Sequence, residues 1–127
     1  MLSFYSASTR MVNTKRGVAE LLEASMDNQY TDANLLIFHA SIGHNFQDIL
    51  DQAREMAPNA RVLAASCCGI VGKEGVSESM KDMALMAIKG DEFKIAHADN
   101  IFGHNSFDKT LEMAKNLQSQ CLSLIHI

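Results

Sequence analysis

Apolar residues recur along this chain with two spacings, one typical of amphipathic helices and one typical of buried strands. The stretch that begins at Asn13 and Thr14, two good helix-capping residues, carries apolar side chains at helical spacing. These apolar positions are Val18, Leu21, Leu22 and Met26. The spacing predicts a helix whose apolar side packs on the rest of the fold.

A strand, a helix and a second strand are predicted in the middle of the chain. The unbroken apolar run from Leu35 to Ala40 is typical of a strand that helices flank on both faces. A helix with Asn45 as its N-cap follows, and the next strand begins at Arg61. Strands joined through a helix are expected to be parallel, so loops 41–44 and 66–75 should emerge at the same edge of the sheet.

The remaining patterns complete the predicted fold. Phe4 to Thr9 is predicted to be a first strand, and Met83 to Ile88 and Phe93 to Ala98 are predicted to be later strands joined as a hairpin. A last helix is expected from a cap at Ser106 to Gln118. The fold class predicted is α/β, with a mixed, largely parallel sheet flanked by helices in one domain.

Composition narrows the classes of partner. The formal net charge is -4 at pH 7 and Lys and Arg do not cluster, whereas nucleic acids and anionic lipids are captured by local positive charge. No apolar run approaches the roughly 18 residues of a membrane span, and the chain does not open on a secretory pattern. We therefore expect no nucleic-acid or membrane partner and a cytoplasmic location, which the three cysteines, two of them adjacent, also fit.

Two loops at the predicted sheet edge are candidates for binding a small molecule. The loop after the second strand is rich in small side chains, which let a ligand approach the backbone closely. The loop after the first strand leads into a helix start, where free amides favour an anionic group such as a carboxylate. The candidate ligand-binding residues are Ser41, Gly43, His44, Ser66, Cys67, Cys68 and Gly69.

The turn after the second strand also has a recognisable pattern. Ser66 and Gly69 form a Ser-x-x-Gly turn that follows an apolar strand, a helix and a second strand. In this order the chain resembles the FIST N-terminal domain from about Ala33 to Ile88, where the family turn usually reads Gly-Cys-Ser-Thr-Ala-Gly-Glu-Ile. The chain departs from that turn at Ala64, in place of the first glycine, and at Ile70, in place of the glutamate.

The resemblance implies an intracellular sensory domain in signal transduction. Such a domain is expected to bind a small metabolite, amino-acid-like by the family's pattern, and to signal to a kinase, a cyclase or a chemotaxis protein. It implies that residues 1–120 are the front part of a longer domain, so the domain is expected to be incomplete. Residues 121–127 resemble translated read-through of a sequencing adaptor, and we expect them to be a non-native tail.

Two other functions stay open from the residues. Cys67 or Cys68 could be the nucleophile of a cysteine-dependent enzyme if a base such as His39, His44 or His97 lay nearby. By the resemblance, His39 or His97 is a candidate axial ligand for haem in a gas sensor. Such a haem would be non-covalent, because the sequence has no Cys-x-x-Cys-His motif. The sequence itself requires no cofactor.

Two further expectations concern the predicted strand from Met83 to Ile88 and the charged segment that precedes it. The charged residues from Lys73 to Asp82 are expected to form a solvated loop. Met83 and Met86 are expected to fill the core from opposite faces of a buried strand.

Overall fold

The structure, a computed structural model, describes residues 1–72 and 75–125, with side chains described as far as residue 121. The chain divides into two compact units, Met1–Asp91 and Glu92–Ile127. The elements of the first unit are β1 (Ser3–Thr9), α1 (Thr14–Met26), a 3-10 helix (Asp27–Asp32), β2 (Leu35–Ala40), α2 (Phe46–Met56), β3 (Arg61–Ser66), β4 (Ile70–Gly72), β5 (Gly75–Ser77) and β6 (Met83–Lys89). The second unit contains α3 (Ser106–Ile125).

Both helices of the first unit begin where their capping residues predict. The side chain of Asn13 accepts the N–H of Arg16 at 2.9 Å, and that of Asn45 accepts the N–H of Asp48 at 3.1 Å. Each bond satisfies a backbone donor that has no partner inside the helix. The apolar positions predicted for α1 are all buried: Val18, Leu21, Leu22 and Met26.

Four strands form the main sheet in the order β1-β6-β2-β3. β2 and β3 are parallel, as predicted, and β6 is antiparallel to both of its neighbours, β1 and β2. β1, β2 and β3 therefore run in one direction and end at one edge, which we call the carboxyl edge. The predicted α/β class with a mixed sheet is confirmed.

The core of the first unit lies on one face of this sheet. α1 packs on β1 and β6, α2 packs on β3, and the two helices contact each other, so they cover the same face. The sheet residues that face them alternate with outward residues, as the period of two in a strand requires. The fully buried ones include Leu36, Phe38, Ala40, Met83 and Ala87.

The prediction that helices flank β2 on both faces is wrong for the first unit. With α1 and α2 on one face, the opposite face leaves Phe4, Leu63 and Met86 exposed by 61%, 40% and 45%. Met83 fills the core as expected, but Met86 does not, because it points to this open face. The continuous apolar run of β2 reflects its central place in the sheet rather than helices on both sides.

The predicted strand from Phe93 to Ala98 is absent from the described structure, and so is its hairpin with β6. Both edges of β6 are already paired, with β1 on one side and β2 on the other. Gly90 turns the chain at the end of β6 with φ of +122°, and its N–H donates to the side chain of Asn34 at 2.8 Å. A hairpin partner therefore has no free edge to occupy.

Residues 66–75, predicted to be a loop, include most of a small hairpin. β4 and β5 pair antiparallel, with Ile70 opposite Ser77 and Val71 opposite Val76. Of the charged residues expected in a solvated loop, Glu78 is exposed but Asp82 is fully buried, so the expectation is wrong at Asp82. Residues 73 and 74 lie outside the described part of the chain.

In the second unit, α3 begins at Ser106 as predicted and continues beyond Gln118 to Ile125. Its apolar residues Phe107, Leu111 and Leu117 are exposed by 77%, 42% and 37%. Within the described residues, neither this helix nor the others is both long and apolar enough to cross a membrane.

Candidate ligand-binding site

The two loops predicted to bind a ligand do emerge at the same edge. At the carboxyl edge one row of paired residues crosses the sheet: Thr9 on β1, Met83 on β6, Ala40 on β2 and Ser66 on β3. Neighbouring strands lie about 4.8 Å apart, which places Thr9 and Ser66 roughly 14 Å from each other. The edge is therefore wide enough to hold a small molecule.

Loop 41–44 is bound to the chain that leads into β6. The N–H of Ser41 donates to the carbonyl of Asp82 at 2.9 Å, and the N–H of Gly43 donates to that of Met80 at 3.1 Å. A Cβ atom at Gly43 would lie 2.2 Å from the Met80 oxygen, so a side chain at this position cannot fit without backbone movement. The backbone N–H groups of Ser41 and Gly43 are thus used by the fold itself.

His44 is only 5% exposed, and the fold uses both of its ring nitrogens. Nε2 lies 2.7 Å from the Lys81 carbonyl, which can only accept, so Nε2 carries the proton. Nδ1 lies 3.0 Å from the Thr14 hydroxyl, which donates to it and accepts the N–H of Asn45. A role for His44 as a base or a ligand would require one of these bonds to break.

The two adjacent cysteines follow β3 in different environments. Cys67 is half-buried, and its N–H donates to the carbonyl of Ala40 at 3.0 Å, which extends the β2–β3 pairing by one residue. Cys68 and Ser66 are exposed. Both thiols are free.

A cavity of about 520 Å³ opens at the carboxyl edge beyond the end of β1. Its size falls within the range of small-molecule sites. The end of β1, one residue of α1 and the β4–β5 hairpin form its walls. The lining residues are Ser8, Thr9, Arg10, Glu20, Ile70, Gly75 and Ser77.

Opposite charges line this cavity. Arg10 directly follows β1, and its side chain is 70% exposed. Glu20 extends from α1, and its Oε1 accepts the hydroxyl of Thr9 at 3.0 Å. The same Thr9 hydroxyl oxygen accepts the N–H of Met11 at 3.1 Å, which fixes the start of the loop that carries Arg10. The cavity therefore offers one cationic and one anionic group to a ligand.

A buried carboxylate stands behind two of the lining residues. Asp82 is completely buried, and its Oδ1 accepts the hydroxyl of Ser77 at 2.7 Å. The same oxygen lies 3.8 Å from Nε of Arg10. Asp82 thus connects β1 and the hairpin, the two sides of the cavity.

None of the seven candidate residues lines the cavity. Gly69 precedes the lining residue Ile70, and Ser41 is hydrogen-bonded to Asp82. Sequence reasoning did not select Arg10, although it follows a strand just as Ser41 does. The other residues it missed are Glu20, Ser77 and Asp82, which depend on contacts distant in sequence.

The histidines considered for haem occupy dissimilar places. His39 is exposed on the open face of the sheet in the first unit, and His97 is exposed in the second unit. In the part of the chain that the structure describes, no three His, Cys, Asp or Glu side chains are grouped so that they could hold a metal ion.

Replacing Gly69 with valine is expected to weaken ligand binding by about tenfold or more while leaving most of the fold intact. A Cβ atom at Gly69 would lie 2.9 Å from the carbonyl oxygen of Ser77, so the hairpin wall must move away. The cause is this close approach, since the φ angle of Gly69 lies outside the left-handed region.

Calorimetry against a panel of amino acids and small metabolites, together with a thermal melt, measures this effect. Gly103→Val is the control, because a Cβ atom there has nothing within 4 Å. Unchanged affinity in a folded Gly69→Val protein would remove the hairpin wall from the site.

No protein-family model matches this chain. No curated protein matches it either.

Proposed function

We propose that this chain is an intracellular sensory domain that binds a small metabolite in the cavity at the carboxyl edge. The observation that carries the proposal is the cavity of about 520 Å³ with Arg10 and Glu20 on its walls. Open α/β sheets bind ligands beyond the carboxyl ends of their strands, and Arg10 lies directly after the carboxyl end of β1. The resemblance of the segment around Ser66 and Gly69 to the FIST N-terminal domain supports the same function.

The charges of the cavity favour an amino-acid-like ligand. A guanidinium binds a carboxylate through two parallel hydrogen bonds, and a carboxylate such as Glu20 pairs with an ammonium group. Phosphate carries more negative charge, and Glu20 and Asp82 would both repel it. A small zwitterion matches both lining charges at once.

Arg10→Gln and Glu20→Gln are each expected to weaken binding of an amino acid by about tenfold to a hundredfold. Each removes a charge-assisted hydrogen bond worth about 1.5–3 kcal/mol to the ligand. Isothermal calorimetry with each of the common amino acids, on the wild-type chain and both variants, makes the measurement.

Arg54→Gln and Glu23→Gln are the matched controls, because both side chains are exposed and neither lines the cavity. Glu23 lies one helical turn beyond Glu20 on α1. If no amino acid binds, or if the controls lose as much affinity as the cavity variants, the proposed function is wrong.

We further propose that the signal passes to a separate effector in the cytoplasm, a kinase, a cyclase or a chemotaxis protein. This part of the proposal rests on the resemblance. Ligand-dependent co-purification of the chain with candidates from these three classes tests it, and association that ignores the ligand would contradict it.

A further inference from the structure

Asp82 is unusual among the described carboxylates because it is fully buried and only one of its two oxygens is hydrogen-bonded. Its Oδ1 accepts one hydrogen bond, from Ser77, at 2.7 Å. Its Oδ2 has no hydrogen-bond partner among the described residues. Its ion-pair partner Arg10 is 70% exposed, and Nε lies 3.8 Å from Oδ1, so the two side chains attract each other electrostatically without a hydrogen bond.

In this environment an aspartate at position 82 is expected to lower the stability of the fold. A buried charge is costly unless hydrogen bonds and a close partner compensate for it. An asparagine would keep the acceptor for Ser77 and bury no charge. A role in the cavity that an asparagine would not fulfil would account for an aspartate at this position.

The contacts of Asp82 meet at the cavity walls. Its side chain bonds to Ser77 on the hairpin and pairs with Arg10 after β1, and both residues line the cavity. Its backbone carbonyl accepts the N–H of Ser41, so loop 41–44 is bound to the same point. Asp82 thus connects these three segments through one residue.

We infer that Asp82 is a positioning residue that holds Arg10 and Ser77 in place for the ligand. By engaging the Nε side of the Arg10 guanidinium, Asp82 leaves the two terminal Nη groups to bind a carboxylate as a pair. Asp82 does not touch the ligand itself. The inference rests on the proposed function for the identity of the ligand, but the positioning of Arg10 is measurable without one.

Asp82→Asn is the variant that tests this inference. We expect its melting temperature to equal or exceed that of the wild type, since the buried charge is gone and Arg10 is exposed enough to be solvated. We expect the Nε–H of Arg10 to exchange with solvent about fivefold faster or more, because the negative charge that lies 3.8 Å from Nε is gone. Nitrogen-15 NMR of the arginine side chains measures that exchange.

Binding provides the second readout. We expect Asp82→Asn to lose about tenfold in affinity for an amino acid and much less for the matching α-carboxamide, which has no carboxylate for Arg10 to bind. The ratio of the affinity for the amino acid to the affinity for its α-carboxamide should therefore fall. A merely structural role would weaken both ligands equally.

Asp51→Asn is the matched control. Asp51 is exposed on α2 and accepts a hydrogen bond from Gln47 at 2.8 Å, which an asparagine retains. The control should resemble the wild type in melting temperature, exchange and affinity.

An unchanged rate of Nε–H exchange at Arg10 in Asp82→Asn would overturn the inference. A lowered melting temperature together with an unchanged ratio of amino-acid affinity to carboxamide affinity would also overturn it. If the wild type binds no amino acid, the proposed function fails by itself. The exchange rate of Arg10 then decides the positioning role separately.

Discussion

Replacing Phe38 with alanine is expected to lower the free energy of unfolding of the first unit by about 3–5 kcal/mol. Phe38 is fully buried at the centre of the sheet, with Leu85 of β6 and Ala64 of β3 beside it in register. Its removal deletes apolar contacts and leaves a cavity under α1 and α2 that rigid neighbours cannot fill. The loss is a large part of the 5–15 kcal/mol typical of a domain.

Denaturant unfolding followed by circular dichroism measures this loss. Phe107→Ala is the matched control, since that side chain is 77% exposed and its removal should change the free energy by about 0.5 kcal/mol or less. Equal stability of the two variants would mean that Phe38 is not at the centre of the core.

Replacing Gly43 with alanine is expected to cost about 2–4 kcal/mol, the second largest effect that we expect. The added Cβ atom would lie 2.2 Å from the carbonyl oxygen of Met80, and two backbone segments would have to separate. The separation breaks the bond from Gly43 N–H to the same oxygen and disturbs the neighbouring bond from Ser41 to Asp82. Ligand affinity should fall together with stability, because Asp82 supports the cavity walls.

Thermal melts and calorimetry on Gly43→Ala measure both losses. Gly103→Ala is the control, because its Cβ atom would meet nothing within 4 Å and its φ is not in the left-handed region. A Gly43→Ala protein as stable as the wild type would show that loop 41–44 and the chain before β6 can move apart at little cost.

The sequence was informative wherever the determining contacts are local. Helix starts at Asn13 and Asn45, the bounds of β2 and the parallel pairing of β2 with β3 all follow from spacing, capping and connection length. The same reasoning placed loops 41–44 and 66–69 at one edge. The helix starts and the bounds of β2 depend on residues that are close in sequence. The parallel pairing of β2 with β3 depends on the short connection through α2.

The candidate site was less predictable, because its residues are distant in sequence. Arg10, Glu20 and Ser77 meet only after β1, α1 and the hairpin assemble around the carboxyl edge. Glu20 has no local signal to separate it from Glu23, which is exposed on the same helix. The seven residues predicted to bind a ligand are therefore different from the residues that line the cavity.

By itself the sequence determined the helices, most of the strands and the edge at which a ligand site is expected, because hydrogen bonding and side-chain spacing within a segment decide them. Only the tertiary structure decided that β6 lies between β1 and β2, which removes the edge that a hairpin with Phe93–Ala98 would need. It also decided that Asp82, one of several charges in a stretch predicted to be a solvated loop, is buried and hydrogen-bonded to Ser77. Both outcomes arise from strand pairing and burial between segments that are distant in sequence. The free energy of these long-range interactions cannot be predicted from the residue pattern within one segment.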